Sequence, residues 1–331
     1  MSADAYAGRR VLVLGAAGFI GRWVARKLSE VGADLCLAVR DGAAAETVFS
    51  SYQISGEITV VDVERSRDVA ELIARVKPCI TFNLAGYGVD PAETDEQRLH
   101  RVNAELPEIL ARSAFTAGDA SWKGHHVVHA GSALEYGLAE GRITERTMTR
   151  PTTAYGKSKL AGTLRLSRVL QELGTARGLT ARLFTVYGPG EHNGRLLPSL
   201  LDAARSGKSV ALTAGRQLRD FTYVEDVADG LLRLGASEPI PGNVVNVATG
   251  VMTSVHDFVG IAAQVLSIQP QQLVFGSLPT RDDEMQATAI DVSLLGQTTG
   301  WIPQIEIARG IARTGVFMNE LAVRRSFTTE R

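Results

Sequence analysis

Two residues near the middle of the chain have the types and spacing of a proton-transfer pair. Tyr155 and Lys159 are four residues apart, so in a helix they share one face. A phenol has a pKa of about 10 and is a weak base near neutral pH, but a neighbouring ammonium stabilises its phenolate. Apolar residues recur at helical spacing over residues 160–170, and Pro151 and Thr153 precede them as helix-start residues. The spacing therefore predicts a helix that presents a proton-transfer pair.

A glycine-rich turn near the N-terminus is typical of a dinucleotide site. Its three glycines follow a short apolar run at residues 10–14 and precede helical spacing at residues 19–28. Glycines at such a position let the backbone turn tightly and approach a pyrophosphate, which the free amides of a helix N-terminus attract. The predicted cofactor cradle comprises Gly15, Gly18, Phe19, Ile20 and Gly21.

Short apolar runs alternate with helical patterns over the first half of the chain. The runs predicted as strands are residues 11–14, 35–39, 58–61, 80–84 and 126–129. This alternation predicts an α/β fold with a Rossmann-like, doubly wound parallel sheet and helices on both faces. After residue 182 the pattern loosens into segments rich in glycine and proline, which predicts a smaller, interleaved C-terminal substrate domain.

Composition agrees with a soluble enzyme and excludes few other classes of protein. The chain has 331 residues, 45% hydrophobic content and a formal net charge of -1, so no basic excess favours a nucleic-acid or membrane partner. We expect a cytoplasmic protein, because we find no long apolar run and no leader at residues 1–8. Cys36 and Cys79 lie in apolar runs and are expected to be reduced and inert. The histidines have no metal-site pattern, and we expect no metal.

The motifs together resemble the extended short-chain dehydrogenase/reductase family, in particular its nucleotide-sugar epimerases, dehydratases and ketoreductases. The glycine turn, the Tyr155–Lys159 spacing and the segments 182–190 and 219–227 occur in the family's order, and the resemblance runs from about residue 11 to about residue 311. It implies an NAD(P) cofactor and a nucleotide-diphosphate sugar as substrate. It also implies a dinucleotide-binding domain at residues 1–181, to which residues 219–246 return, and a mainly substrate-binding domain at residues 182–331.

The resemblance also implies cofactor contacts beyond the glycine turn. Where NAD-preferring relatives place an aspartate at the end of the second strand, this chain has Val39, followed by Arg40. An arginine there can pair with a 2′-phosphate, so NADP(H) is the preferred cofactor, while NAD(H) remains possible through Asp41. The other implied cofactor contacts are Asp62, Val63, Leu84, Ala85, Gly86, Tyr155 and Lys159.

Catalytic and substrate residues are implied in the same way. Ser132 takes the place of the family's hydroxyl residue, which donates to the substrate carbonyl while Tyr155 transfers the proton. Asn103 takes the place of the residue that braces this site. Arg219 and Arg281 match the family's arginines that bind the substrate diphosphate. The implied substrate contacts are Tyr87, Ser132, Glu135, Thr185, His192, Arg219 and Arg281.

The segment after Ser132 narrows the choice among the reactions that the family catalyses. The family's dehydratases place an acidic pair directly after this hydroxyl residue, whereas this chain has Ala133 and Leu134, which cannot exchange protons. A reductase must exchange its cofactor at every turnover and suits NADPH, so Arg40 favours a 4-ketoreductase of a nucleotide-linked 6-deoxy-4-ketohexose. An NAD(P)-dependent nucleotide-sugar epimerase is the alternative. A non-catalytic NADP-sensing regulator is a further alternative, which the retained Tyr155 and Lys159 disfavour.

Assembly is also suggested by the resemblance. The family commonly dimerises through the helix after Asn103 and the helix that bears Tyr155. Both predicted helices carry more apolar positions than one sheet face needs, and we expect a homodimer. These positions are Leu106, Ile109, Leu110, Ala114, Phe115, Leu160, Leu164 and Val169.

Overall fold

A parallel β-sheet lies at the centre of the fold. The computed structural model describes residues 3–90, 92–117, 119, 121–174, 177–280 and 285–328. Within these ranges, seven strands form one sheet in which every neighbouring pair is parallel. In spatial order they are β11 (Val244–Val247), β7 (Gly178–Leu183), β5 (Val127–Ser132), β4 (Ile80–Asn83), β1 (Arg10–Leu14), β2 (Asp34–Val39) and β3 (Glu57–Val60).

Helices account for much of the remaining described chain. They are α1 (Phe19–Glu30), α2 (Gly42–Tyr52), α3 (Ser66–Val76), α4 (Glu96–Leu99), α5 (Leu106–Ala117), α6 (Ala154–Leu173), α7 (Leu196–Ser206), α8 (Val224–Ala236), α9 (Val255–Leu266), α10 (Ser293–Thr299) and α11 (Ile307–Thr328). A single π-helical stretch, His100–Glu105, joins α4 to α5 without a break.

Side chains of the central strands alternate between two hydrophobic cores. Val11 and Val13 face one core, which α1 and α8 cover, whereas Leu12 and Leu14 face a second core, which α3 and α5 cover. Successive residues of a strand point to opposite faces, so this alternation requires helices on both sides of the sheet. The predicted Rossmann-like, doubly wound α/β fold is therefore confirmed.

A smaller region is built from segments that alternate in sequence with the last strands of the large sheet. Its strands are β6 (Glu140–Ile143), β8 (Thr185–Tyr187), β9 (Val210–Ala211), β10 (Leu218–Tyr223), β12 (Met252–Ser254), β13 (Leu273–Val274) and β14 (Gln286–Ile290). Phe221 stacks on Phe258 at a centroid distance of 4.1 Å in its separate core. Strand β10 pairs with β8 and β12, and the chain then returns to the large sheet through α8 and β11. The division at residue 181 stays a prediction.

Two buried carboxylates in the segment 219–227 have structural roles. Asp220 accepts hydrogen bonds from the backbone amides of residues 249–250 at 2.9 and 2.7 Å. Asp226 accepts from the amides of residues 304–305 at 2.8 and 2.7 Å. A buried carboxylate needs such donors. These bonds fix β10 and α8 to neighbouring loops and so hold Arg219 in place at the start of β10.

Both cysteines are free and buried. Burial raises the pKa of the Cys79 thiol to about 12 and also raises that of Cys36, which disfavours the reactive thiolate. Among the described residues, no group of three histidine, cysteine or acidic side chains is placed to hold a metal ion. A search of the described helices found none with the length and apolar character needed to cross a bilayer.

Candidate active site

The glycine turn after β1 is too tightly closed to accept side chains. A Cβ atom built on Gly21 would lie 2.0 Å from the Gly15 carbonyl oxygen, and one on Gly15 would lie 2.8 Å from the backbone of residues 84–85. Gly15 also has a φ of +72°, which favours glycine. Gly18 precedes α1, whose first amides have no partners within the helix and favour an anion. The predicted cradle therefore fits a pyrophosphate.

The start of α1 contains a cation that the sequence reasoning missed. Phe19 and Ile20 are half-buried and pack against the sheet core. One turn later, the Arg22 guanidinium donates to the carbonyl oxygens of Ala17 at 2.7 Å and Gly18 at 3.0 Å. Arg22 therefore holds the carbonyl side of the turn. The sequence signal for this role was the position of Arg22 directly after the third glycine of the turn.

The predicted cofactor residues beyond the glycine turn follow adjacent parallel strands. Arg40 follows β2 and Asp62 comes shortly after β3, so both lie at the sheet edge where β1 leads into the glycine turn. Arg40 is exposed, whereas the Asp41 carboxylate already accepts the Ala44 amide at 3.1 Å and caps α2. Asp62 pairs with Arg65 at 3.2 Å. The remaining predicted cofactor residues at this edge are Val63 after β3 and Leu84, Ala85 and Gly86 after β4.

The phenol of Tyr155 lies against the Ser132 hydroxyl. Ser132 ends β5, and Tyr155 is the second residue of α6, whose start Thr153 caps by accepting the Gly156 amide at 2.9 Å. Burial raises the pKa of Tyr155 to about 12, the Glu135 carboxylate adds to this, and Arg195 and a hydrogen bond with Ser132 oppose it. The phenol is thus protonated at neutral pH, as a proton donor to a carbonyl oxygen must be.

Lys159 lies one turn further along α6 and is buried. Burial lowers the pKa of its ammonium to about 8, while the Glu135 carboxylate raises it. Lys159 therefore still carries its charge at neutral pH. The structure thus brings Ser132, Tyr155 and Lys159 to the end of β5 and the first turns of α6.

The structure contradicts the assignment of Glu135 to the substrate. Residues 133–135 form a single 3-10 turn, and the Glu135 side chain is fully buried behind Ser132. One carboxylate oxygen accepts the Ser132 amide at 2.8 Å, and the other accepts from Arg182 Nε at 2.8 Å and the Thr163 hydroxyl at 2.9 Å. Glu135 therefore positions Ser132 and influences Tyr155 and Lys159 through its charge.

Asn103 lies in the π-helical stretch and acts as a brace. Its side-chain amide donates to the Tyr87 carbonyl at 2.7 Å and to the Ser158 hydroxyl at 2.9 Å, and its oxygen accepts the Tyr87 amide at 3.1 Å. Ser158 in turn donates to the Tyr155 carbonyl at 2.8 Å. A Cβ atom on Gly162 would lie 2.1 Å from the Asn103 carbonyl oxygen, so α6 packs tightly here. Asn103 is a positioning residue for the catalytic helix and the Tyr87 loop.

A cavity of about 170 Å³ lies beside the smaller core. Thr185 and Arg219, two of the predicted substrate residues, line it together with Phe221. His192 is exposed and is not among the lining residues, so the structure does not bring it to this cavity. Arg281 lies outside the described residues.

Two further residues of the loop after β8 line this cavity and were not named from the sequence. They are Glu191 and Arg195, which lie 3.6 Å apart at Oε1 and Nε. The charge of Arg195 lowers the pKa of Tyr155. From this loop only His192 was predicted from the sequence as a substrate contact.

Comparison with known proteins agrees with this geometry. The family model described as the NAD dependent epimerase/dehydratase family matches residues 11–248. The chain is 30% identical to a dTDP-6-deoxy-L-talose 4-dehydrogenase (NAD(P)(+)) of Kitasatospora kifunensis, over 92% of this chain and 94% of that protein. It is 29% identical to a UDP-glucose 4-epimerase of Mycolicibacterium smegmatis, over 93% and 98% of the two chains.

A solved structure is similar over nearly its whole length. MoeE5 in complex with UDP-glucuronic acid and NAD superposes with a TM-score of 0.76 at 28% identity, covering 94% of this chain and 99% of that one. The segment that the family model matches includes the glycine turn and the helix that bears Tyr155. The chain therefore belongs to the NAD-dependent epimerase/dehydratase family, within the extended short-chain dehydrogenase/reductase enzymes.

Proposed function

We propose that the protein reduces the 4-keto group of a nucleotide-linked 6-deoxy-4-ketohexose with NADPH. The observation that carries this proposal is the placement of Ser132, Tyr155 and Lys159 at the same sheet edge as the glycine turn. The similarity to an enzyme named as a dTDP-6-deoxy-L-talose 4-dehydrogenase supports the substrate class. The cavity with Arg195 and Arg219 offers two cations for a diphosphate.

The proposed mechanism uses Tyr155 as the general acid. The bound nicotinamide would supply the hydride, and residues of the glycine turn with Tyr155 and Lys159 would hold the cofactor. Tyr155 donates its proton to the carbonyl oxygen of the sugar, and the Ser132 hydroxyl donates a hydrogen bond to the same oxygen. The Lys159 ammonium stabilises the phenolate left behind.

Dehydration is disfavoured by the same segment. Ala133 and Leu134 follow Ser132 and carry no group that exchanges protons. Glu135, the next carboxylate, is bound to Arg182 and is fully buried. The acidic pair that a dehydratase needs is therefore lacking at these positions.

A turnover assay separates the reductase from the epimerase. We expect NADPH absorbance to fall when the protein is mixed with dTDP-4-keto-6-deoxyglucose, because each reduction consumes one cofactor. Epimerisation is the alternative, and the similarity to a UDP-glucose 4-epimerase favours it. Conversion of UDP-glucose to its C4 epimer without net cofactor consumption, and no NADPH oxidation with the ketosugar, would replace the reductase proposal.

The proposed preference for NADP(H) depends on Arg40. Replacing Arg40 with alanine should weaken NADPH binding about tenfold or more and leave NADH binding nearly unchanged, because a lost charge-assisted hydrogen bond costs about 1.5–3 kcal/mol. Fluorescence titration with both cofactors measures this. Arg67→Ala is the control, since Arg67 is exposed on α3 and pairs with Glu71. Equal affinity of the unchanged protein for NADH and NADPH would remove the preference.

We also propose a homodimer through α5 and α6. Four of the eight apolar positions predicted for this interface are buried within the chain, but Phe115 and Leu164 are 44% and 59% exposed. Leu164→Lys should convert the dimer to a monomer in light scattering, because it adds charge beside Arg165 and Arg168. Val251→Lys is the control, at a site 64% exposed elsewhere. A monomer mass for the unchanged protein at full activity would overturn this proposal.

A further inference from the structure

Glu191 has a buried carboxylate oxygen that the described residues leave without a partner. Its side chain is 7% exposed, and its Oε2 atom has no hydrogen-bond donor within the described ranges. The other oxygen lies 3.6 Å from Arg195 Nε, a long ion pair. A buried carboxylate oxygen without a donor is costly, so this atom indicates a partner beyond the described residues, such as a ligand.

Two adjoining cavities share Glu191 as part of their walls. The first is the cavity of about 170 Å³, in which the other charged or titratable groups are Tyr187, Arg195 and Arg219. The second has a volume of about 410 Å³ and contains Asp202 and Arg205. Thr185 and Arg219, two of the predicted substrate residues, line the first cavity together with Glu191. Glu191 is therefore placed beside the expected nucleotide sugar.

The loop that carries Glu191 is held by the helices next to the cofactor cradle. Trp23 on α1 donates from its indole nitrogen to the Pro189 carbonyl at 2.9 Å. Gly190 has a φ of +91°, and a Cβ atom there would lie 2.6 Å from the Tyr52 hydroxyl. The position of Glu191 is thus fixed before substrate binds, which lowers the cost of recognition.

We propose that Glu191 recognises the substrate, accepting a hydrogen bond from a hydroxyl of the hexose. This inference rests on the proposed nucleotide-sugar activity and names a residue that determines its specificity. A hydroxyl donor matches the unpartnered oxygen of Glu191, a residue that lines the same cavity as Arg195 and Arg219. Arg195 keeps the other carboxylate oxygen in place.

The proposal predicts a pH dependence of sugar binding. Burial raises the pKa of Glu191 to about 7, with Arg195 and a backbone hydrogen bond opposing the shift. A hydroxyl that donates to the carboxylate favours the ionised form. Affinity for the nucleotide sugar should therefore rise as the pH increases through about 7, whereas affinity for the nucleoside diphosphate alone should change less.

Calorimetric titration of the whole protein with UDP, dTDP, UDP-glucose and dTDP-glucose tests the inference. Glu191→Ala should weaken binding of the sugar nucleotides about ten- to hundredfold, as expected for a hydrogen bond to a charged group, and should not weaken binding of the diphosphates, because Arg195 loses only a competing carboxylate. Glu191→Gln should retain most of the affinity at pH 8 and lose the pH dependence. Asp202→Asn, which lines only the second cavity, is the control.

Each remaining outcome counts against the inference. Equal weakening of diphosphates and sugar nucleotides in Glu191→Ala would assign the residue to the nucleotide or to the shape of the loop, and would overturn sugar recognition. A thermal midpoint lowered in both variants would show a structural role, since the long ion pair with the half-exposed Arg195 should contribute little to the free energy of unfolding. Failure of the unchanged protein to bind any of the four ligands would refute the proposed function, and sugar recognition with it.

Discussion

Replacing Tyr155 with phenylalanine should lower turnover by about two to four orders of magnitude, the usual contribution of a positioned acid. Phenylalanine keeps the ring and its packing on α6 and removes only the hydroxyl group. The transferable proton and the hydrogen bond with Ser132 are lost with it. Cofactor binding should survive, so the loss should appear in kcat and in kcat/KM alike. Steady-state assays together with cofactor titration measure both quantities. Turnover close to that of the unchanged protein would exclude Tyr155 as the acid.

Lys159 supplies the companion test. Lys159→Met should impair both cofactor binding and turnover. The family resemblance implies that the buried ammonium contacts the nicotinamide ribose and stabilises the phenolate. The rate of the unchanged protein should also fall as the pH rises above about 8, where Lys159 loses its proton. Undiminished cofactor affinity in the methionine variant would contradict the dual role.

Local sequence patterns predicted the fold because its strands, glycine turn and helix caps are specified by residues that are neighbours in sequence. The apolar runs and the glycine turn placed the first four strands to within one residue, and Thr153 caps α6 as its hydroxyl predicts. Strand β5 was the exception, since it extends to Ser132 beyond the expected end at His129. Residues 130–132 are small and give little strand signal, yet they pair with β7, a contact that only tertiary structure supplies.

The assignment of Glu135 to the substrate was wrong for a reason visible in the sequence. Ser132 and Glu135 have the spacing of a capping box and form one reciprocally at the start of a 3-10 turn. The partner Arg182 is distant in sequence, and its pairing depends on the alignment of β5 with β7. The inward turn of Glu191 rather than His192 depends likewise on distant contacts from Trp23 and Tyr52.

Breaking the ion pair between Glu135 and Arg182 should have the largest effect on stability. Both side chains are buried, and Arg182 also lies over the Tyr136 ring at 4.4 Å. Glu135→Ala leaves the guanidinium buried without its counter-charge, which costs about 3–5 kcal/mol, and removes the acceptor of the Ser132 amide. Chemical denaturation should show this loss. Glu71→Ala, in an exposed pair on α3, is the control and should leave the midpoint unchanged.

A double variant separates the effect of the Glu135 charge on the pH profile of activity from its effect on the stability of the fold. The double variant Glu135→Gln with Arg182→Met removes both charges and should recover much of the stability lost in Glu135→Ala, because no unpaired ion remains buried. Its Lys159 ammonium would lack the carboxylate that raises the pKa, so the alkaline fall in activity should move to lower pH. A stable double variant with an unshifted pH profile would show that Glu135 serves the fold alone.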